Sequence, residues 1–203
     1  MANTDAPFGL RPAGHRNGAP HTGAVNPYYI PASYGTALFI GDPVVKTGTA
    51  NTAEVSGPGA GNFNVGTLPE INKATAGDGN AITGVIVGFS SDADDPVYNA
   101  ASTERIAFVN DDPDAVFEIQ ADGAIAATQV GLNAVLIYTN AGDTNTGLSG
   151  AELDTTSDVP AADASNQLTI QRIVNRQDVD TTANTKVLVK INNHTEAHGA
   201  LGI

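Results

Sequence analysis

Chemistry near neutral pH would have to start from the four histidines, His15, His21, His194 and His198, because imidazole is the side chain that ordinarily titrates there. His194 and His198 have the spacing of two metal ligands on one helical face. Gly199 and the small residues around it oppose a helix, however, and no glutamate follows the first histidine as in the zinc-protease motif. The pair therefore reads as solvated tail residues. Asp92, Asp94 and Asp95, together with Asp111, Asp112 and Asp114, could offer oxygen ligands to Ca²⁺ if their two loops met. Asp143-Thr144-Asn145-Thr146-Gly147 is a second calcium-like stretch, but its glycine is displaced and the bidentate glutamate is missing. Asx turns explain all these residues without an ion, so no metal ligand is assigned. Nucleophilic catalysis lacks its parts: there is no Cys, no Gly-x-Ser-x-Gly, and no histidine between residues 22 and 193 to act as base. Paired carboxylates could in principle cleave glycosides, but a chain without Trp and with a thin core makes a poor sugar cleft. No glycine-rich phosphate loop precedes a helix. The expectation is a protein that is not an enzyme, with no catalytic residue and no cofactor.

The elements that would hold such residues are sparse in large apolar side chains. Leu, Ile, Val and Phe make up about 23% of the 203 residues, close to the ~20% below which disorder becomes the default. With 22 Gly and 11 Pro diluting them, the core must be thin and association would add burial. Net charge is −13 with nine Lys and Arg in all, which argues against direct contact with a nucleic-acid backbone, since phosphate binding needs clustered cations. No apolar run approaches a membrane span, and the start MANTDAPFGLRP has neither the basic n-region nor the apolar h-region of a secretory signal.

Read in order, residues 1–33 carry Pro7, Pro12, Pro20, Pro27 and Pro31 among several glycines, a pattern that predicts neither helix nor strand but an extended N-terminal arm. Phe8, Leu10, Val25, Tyr28, Tyr29 and Ile30 are its spaced apolar anchors, with Arg11 and Arg16 as its charged contacts. These eight residues are the expected contacts to a shell or a neighbouring subunit. Residues 34–203 form the β domain. Strands are predicted over 37–40 and 44–45, which the turn formers Gly41-Asp42-Pro43 separate, and over 63–68, 82–89, 132–138, 168–174 and 187–191, with long irregular loops at 47–62, where a short strand around Val55 also fits, and at 90–101 and 140–164. Residues 125–130 fit a strand or a short helical turn. Glu104–Gln120 reads as a β-hairpin turning at Asn110–Asp114, and 104–115 is also where a subdivision of the domain would fall. Phe108, Phe117, Ile119, Val135, Ile137, Ile170 and Val189 are expected to share one core. The fold class is all-β, an antiparallel β-barrel or β-sandwich.

Three stretches carry a resemblance: Ala2-Asn3-Thr4-Asp5-Ala6-Pro7-Phe8-Gly9-Leu10-Arg11-Pro12 at the start, Gly41-Asp42-Pro43-Val44 where the β domain opens, and Leu188-Val189-Lys190-Ile191 near the end. Together the chain resembles the capsid decoration, or cement, proteins of tailed bacteriophages. The resemblance implies a virion structural protein, made in the host cytoplasm, that binds the outer surface of an HK97-type shell and bridges its capsomers. Its implied partners are the major capsid protein and itself, as a homotrimer or alternatively a two-fold dimer. The alternative function, from another class, is a phage head fibre or β-sandwich module that binds a host-surface glycan.

Overall fold

The computed structural model describes residues 3–197, and the chain is all-β, as its composition predicts. Its strands are β1 (Arg11–His15), β2 (Asn26–Ile30), β3 (Pro43–Ala50), β4 (Val55–Gly57), β5 (Gly61–Phe63), β6 (Pro69–Lys73), β7 (Gly84–Phe89), β8 (Arg105–Asn110), β9 (Ala115–Gln120), β10 (Asn133–Ala134), β11 (Leu136–Ile137), β12 (Glu152–Leu153), β13 (Leu168–Ile173) and β14 (Lys186–Ile191). They build two bodies. A closed barrel runs β2-β6-β3-β7-β8, and a five-stranded sheet runs β1-β9-β14-β13-β10. Pairing is antiparallel within both, apart from the single parallel contact between Tyr29 of β2 and Glu70 of β6.

Alternation sets the inner faces. In β14, Val187, Val189 and Ile191 are buried while Lys186, Leu188 and Lys190 are half-buried, the period-2 pattern of a sheet covered on one side. The covering layer is the barrel: Ala74, Ile82 and Val85 share one core with Phe117, Ile119, Leu168, Ile170, Val187 and Val189. The barrel encloses a second core around Tyr28, Ile30, Leu38, Val44, Ile71, Ile86 and Val109.

The expected hairpin at Glu104–Gln120 is corrected. β8 pairs with β7 and β2 in the barrel, whereas β9 pairs with β1 and β14 in the sheet. Asn110–Asp114 is therefore a crossing between bodies, held by Asx-type bonds from the Asp112 N–H to Asn110 Oδ1 (3.3 Å) and from the Asp114 N–H to Asp112 Oδ1 (2.8 Å). Two strand-forming runs joined by a turn look alike in sequence whether they pair with each other or with others. The expected common core divides accordingly. Phe117, Ile119, Ile170 and Val189 lie together, but Phe108 is a half-buried barrel residue, Ile137 is half-buried, and Val135 is buried outside that cluster.

The extended arm at residues 1–33 is corrected as well. Its described part supplies β1, the edge of the sheet against β9, and β2, the strand that closes the barrel between β6 and β8. The prolines that argued against strands occupy tolerated places. Pro12 is on an edge strand, and Pro27 is the second residue of β2, ahead of the Tyr29 contact to β6.

Other elements depart in detail. Residues 127–129 form one short 3₁₀ turn. The apolar run 132–138 is split between β10, which pairs with β13, and β11, which pairs with β12. The short strand expected around Val55 is β4, and it pairs with β5; the strand expected over 63–68 is corrected, since β5 ends at Phe63 and β6 begins at Pro69. Strand β6 was not anticipated: it has one fully buried apolar residue, Ile71, flanked by Glu70 and Asn72, too weak a period to read.

Candidate functional site

The residues expected as outward contacts fall into two groups. Leu10 (1% exposed), Tyr28 (5%) and Ile30 (0%) are in the chain's own cores, so they are structural residues here and not free anchors. Phe8 is buried beneath the Arg11 guanidinium, which lies 4.3 Å from its ring centre. Arg11 and Arg16 are exposed, and Val25 and Tyr29 are half-buried. The Tyr29 hydroxyl donates to Glu104 Oε2 at 2.6 Å, and partial burial with that carboxylate raises its pKa to about 12.

The segment also clamps the crossing between bodies. Asp111 accepts from Asn26 Nδ2 (3.0 Å) and from the Tyr28 hydroxyl (2.8 Å), Asp112 pairs with His15 Nδ1 (3.0 Å), and Asp114 pairs with Arg16 Nε (3.3 Å). The two acidic sets considered for calcium do not meet: Asp92–Asp95 follows β7 and Asp111–Asp114 follows β8, placing them at opposite ends of the six-residue β8, roughly 20 Å apart at ~3.4 Å per residue. Asp143 makes an Asx turn, its Oδ1 accepting the Asn145 N–H at 2.8 Å and its Oδ2 the Thr146 hydroxyl at 3.0 Å. Those bonds hold its carboxyl below the ordinary range.

The most built polar site is one that sequence reading missed. Asp42 is wholly buried, and its Oδ1 meets Lys73 Nζ at 2.8 Å and accepts from the Ser149 hydroxyl at 2.6 Å, while Oδ2 accepts the Phe39 N–H at 2.9 Å. Lys73 Nζ also lies 4.4 Å over the Tyr138 ring; burial first, then the Asp42 charge, raises the Tyr138 pKa. Asp42 looked like a turn residue of Gly41-Asp42-Pro43, and Lys73, about thirty residues on, gave no hint of being its partner. The chain closes tightly here. The Leu10 N–H donates to Gly41 O at 2.9 Å, and Gly9 and Gly41 both have left-handed φ (+71° and +92°). A Cβ on Gly9 would sit 2.4 Å from Gly41 O and 2.6 Å from Ser149 Cβ, so glycine is required there on both conformational and steric grounds. This arrangement fastens the N-terminal segment, the barrel and loop 140–151 to one another. Ser149 is 1% exposed and Asp42 wholly buried, so this cluster ties segments together inside the fold.

A second polar cluster joins the same loop to the sheet. Buried Glu152 accepts from Gln120 Nε2 (3.0 Å) and Asn140 Nδ2 (2.8 Å), and desolvation raises its pKa.

His194 is the buried histidine, 4% exposed, on a segment bridged in parallel to Ile82; its spacing partner His198 lies outside the described residues. His194 Nδ1 accepts the Glu196 N–H at 2.9 Å, which puts the proton on Nε2, and Nε2 is buried without a hydrogen-bond partner. Burial pushes the imidazole pKa down, with the Glu196 and Asp111 carboxylates opposing. The folded chain thus keeps His194 neutral where the unfolded chain takes up a proton. Its contribution to stability is complete above the ordinary value of about 6.5 and declines as pH falls below it. Denaturant midpoints measured at pH about 7.5 and about 5.5 are expected to drop at the lower pH, and His194→Gln should flatten that drop. Equal pH dependence in the two proteins would remove His194 from the account.

No protein-family model, curated protein or solved structure matches this chain.

Proposed function

We propose that this protein is a structural component of a tailed-phage virion, a decoration protein that binds the outer surface of the capsid and bridges capsomers of the major capsid protein. The observation that carries the reading is where the three stretches of resemblance sit. Phe8-Gly9-Leu10 packs on Gly41-Asp42-Pro43 through the Leu10 N–H to Gly41 O bond and the close approach at Gly9. Leu10 in turn shares a core with Val189 and Ile191 of the third stretch. This meeting of the three stretches supports the reading of a shared architecture, and the activity is proposed from it by analogy.

With Leu10, Tyr28 and Ile30 inside the fold, attachment to the shell uses the folded surface together with Arg11, Arg16, Val25 and Tyr29. Multiple copies in a symmetric assembly, a homotrimer or a two-fold dimer, then multiply modest contacts through effective concentration. Purified protein added to shells lacking it is expected to co-sediment with them at saturable stoichiometry. Binding to whole host cells without binding to shells would replace this reading with that of a receptor module.

A further inference from the structure

The chain's few cations gather on the outer face of the five-stranded sheet. Cross-strand register sets Arg11, Glu118, Leu188 and Arg172 in one row, and Gly14, Val116, Lys190 and Thr169 in the next. Lys186 stands opposite Gln120. Arg176 reaches onto this face to Glu118 (2.9 Å) and Asp178 (3.1 Å), and Lys186 approaches Asp178 at 3.8 Å, so these two carboxylates are already matched. Arg11, Arg172 and Lys190 make no ion pair among the described residues. Asp5 also reaches this face, accepting from Gln120 Nε2 at 3.1 Å, so five cations (Arg11, Arg172, Arg176, Lys186, Lys190) meet three carboxylates (Asp5, Glu118, Asp178) and the face is net positive in a molecule whose net charge is −13. A groove of about 310 Å³ crosses that face, floored by Val116 and Leu188 and flanked by Arg16, Arg172 and Pro20.

The complementary charge is on the barrel. Asp92, Asp94, Asp95 and Glu104 are all exposed, and three of them, Asp92, Asp95 and Glu104, line one depression of about 360 Å³ with Pro58 and Pro96. The cation in its lining, Arg105, is buried, donates to the carbonyls of Ser90 (2.6 Å), Pro96 (3.0 Å) and Tyr98 (2.8 Å) and pairs with Asp95 at 3.6 Å, so it offsets Asp95 and leaves Asp92 and Glu104 without an ion pair among the described residues. The depression is therefore net negative and the sheet face net positive.

We propose that the cationic sheet face of one copy docks on the acidic barrel depression of a second copy. The occupant is argued from charge: a net positive surface fits a carboxylate-rich protein surface, and this chain carries one of matching charge and similar size. Complementary potentials of this kind set register and speed of encounter, while Val116 and Leu188 on one side and Pro58 and Pro96 on the other give the contact an apolar centre. Unlike patches meeting between copies close into a ring or a reciprocal two-fold pair where the geometry permits, and otherwise run on as an open filament. The contact needs no shell, so it stands or falls separately from the proposed function.

Sedimentation velocity of the full chain tests it. At about 0.02 M salt, where charges interact over more than 10 Å, the protein is expected to associate with rising concentration, and at about 0.5 M salt to dissociate toward monomer. Arg172→Glu with Lys190→Glu, and separately Asp92→Lys with Asp94→Lys, should each weaken association roughly tenfold or more while keeping the wild-type melting curve, since Arg172, Asp92 and Asp94 are exposed and Lys190, half-buried on the outward face of β14, makes no ion pair among the described residues. Mixing the two variants should restore association, because each then supplies the charge the other lacks. A wild-type protein that stays monomeric at low salt, association that either variant leaves unchanged, or a mixture that fails to reassociate would overturn the proposal.

Discussion

Removing residues 3–33 is expected to abolish the folded state, not merely to trim an appendage. The deletion takes β2 out of the closed barrel, exposing the ladders of both β6 and β8, and takes β1 off the edge of β9. It also empties the places of Leu10, Tyr28 and Ile30 in the two cores. Burying one such side chain contributes ~1.5–3 kcal/mol, so three of them account for a large share of the ~5–15 kcal/mol that holds a typical domain folded. Two opened strand edges add an aggregation hazard. Circular dichroism and a thermal melt of the truncated protein decide the matter. A cooperative melt near the wild-type temperature would mean that the segment is dispensable and that the sheet pairings of β1 and β2 carry little energy.

Lys73→Met is expected to destabilise by about 3–5 kcal/mol, the range for leaving one member of a buried pair uncompensated. The two partners are not equivalent. Asp42 is 0% exposed and the Lys73 side chain is 20% exposed, so Lys73 can swing toward water if Asp42 is lost, but the Asp42 carboxylate has nowhere to go if Lys73 is lost. Asp42→Ala should therefore cost less than Lys73→Met, even though it also orphans the Phe39 N–H and the Ser149 hydroxyl. Urea midpoints of the two variants measure this ordering. Equal or reversed losses would mean that the hydrogen bonds to Asp42 outweigh its ion pair.

What could be read from the sequence was whatever depends on local pattern. The alternation Lys186-Val187-Leu188-Val189-Lys190-Ile191 announces a half-covered strand, and β14 is one; its outward lysines, which belong to the cationic face, were legible in the same pattern. The turn residues Asn110–Asp114 announce a turn, and one closes there through the Ala115 N–H to Asp112 O bond at 3.1 Å. Pairing is not local, and there the reading failed. β8 and β9 flank a turn and lie in different bodies, and the proline-rich start reads as extended chain yet provides strands to both. Long-range partners are hidden for the same reason: nothing near Asp42 in sequence points to Lys73 or Ser149, which lie 31 and 107 residues away. The strands with a strong apolar period were found, and those with a single inward residue, such as β6, were not.

The central claim, that this protein reinforces a phage shell from outside, is tested most directly by heating capsids with and without it and following release of packaged DNA. Shells carrying the protein should release their DNA at a distinctly higher temperature than bare shells, and adding the purified chain back to bare shells should restore that temperature. Identical release temperatures, with the protein demonstrably bound, would contradict the account.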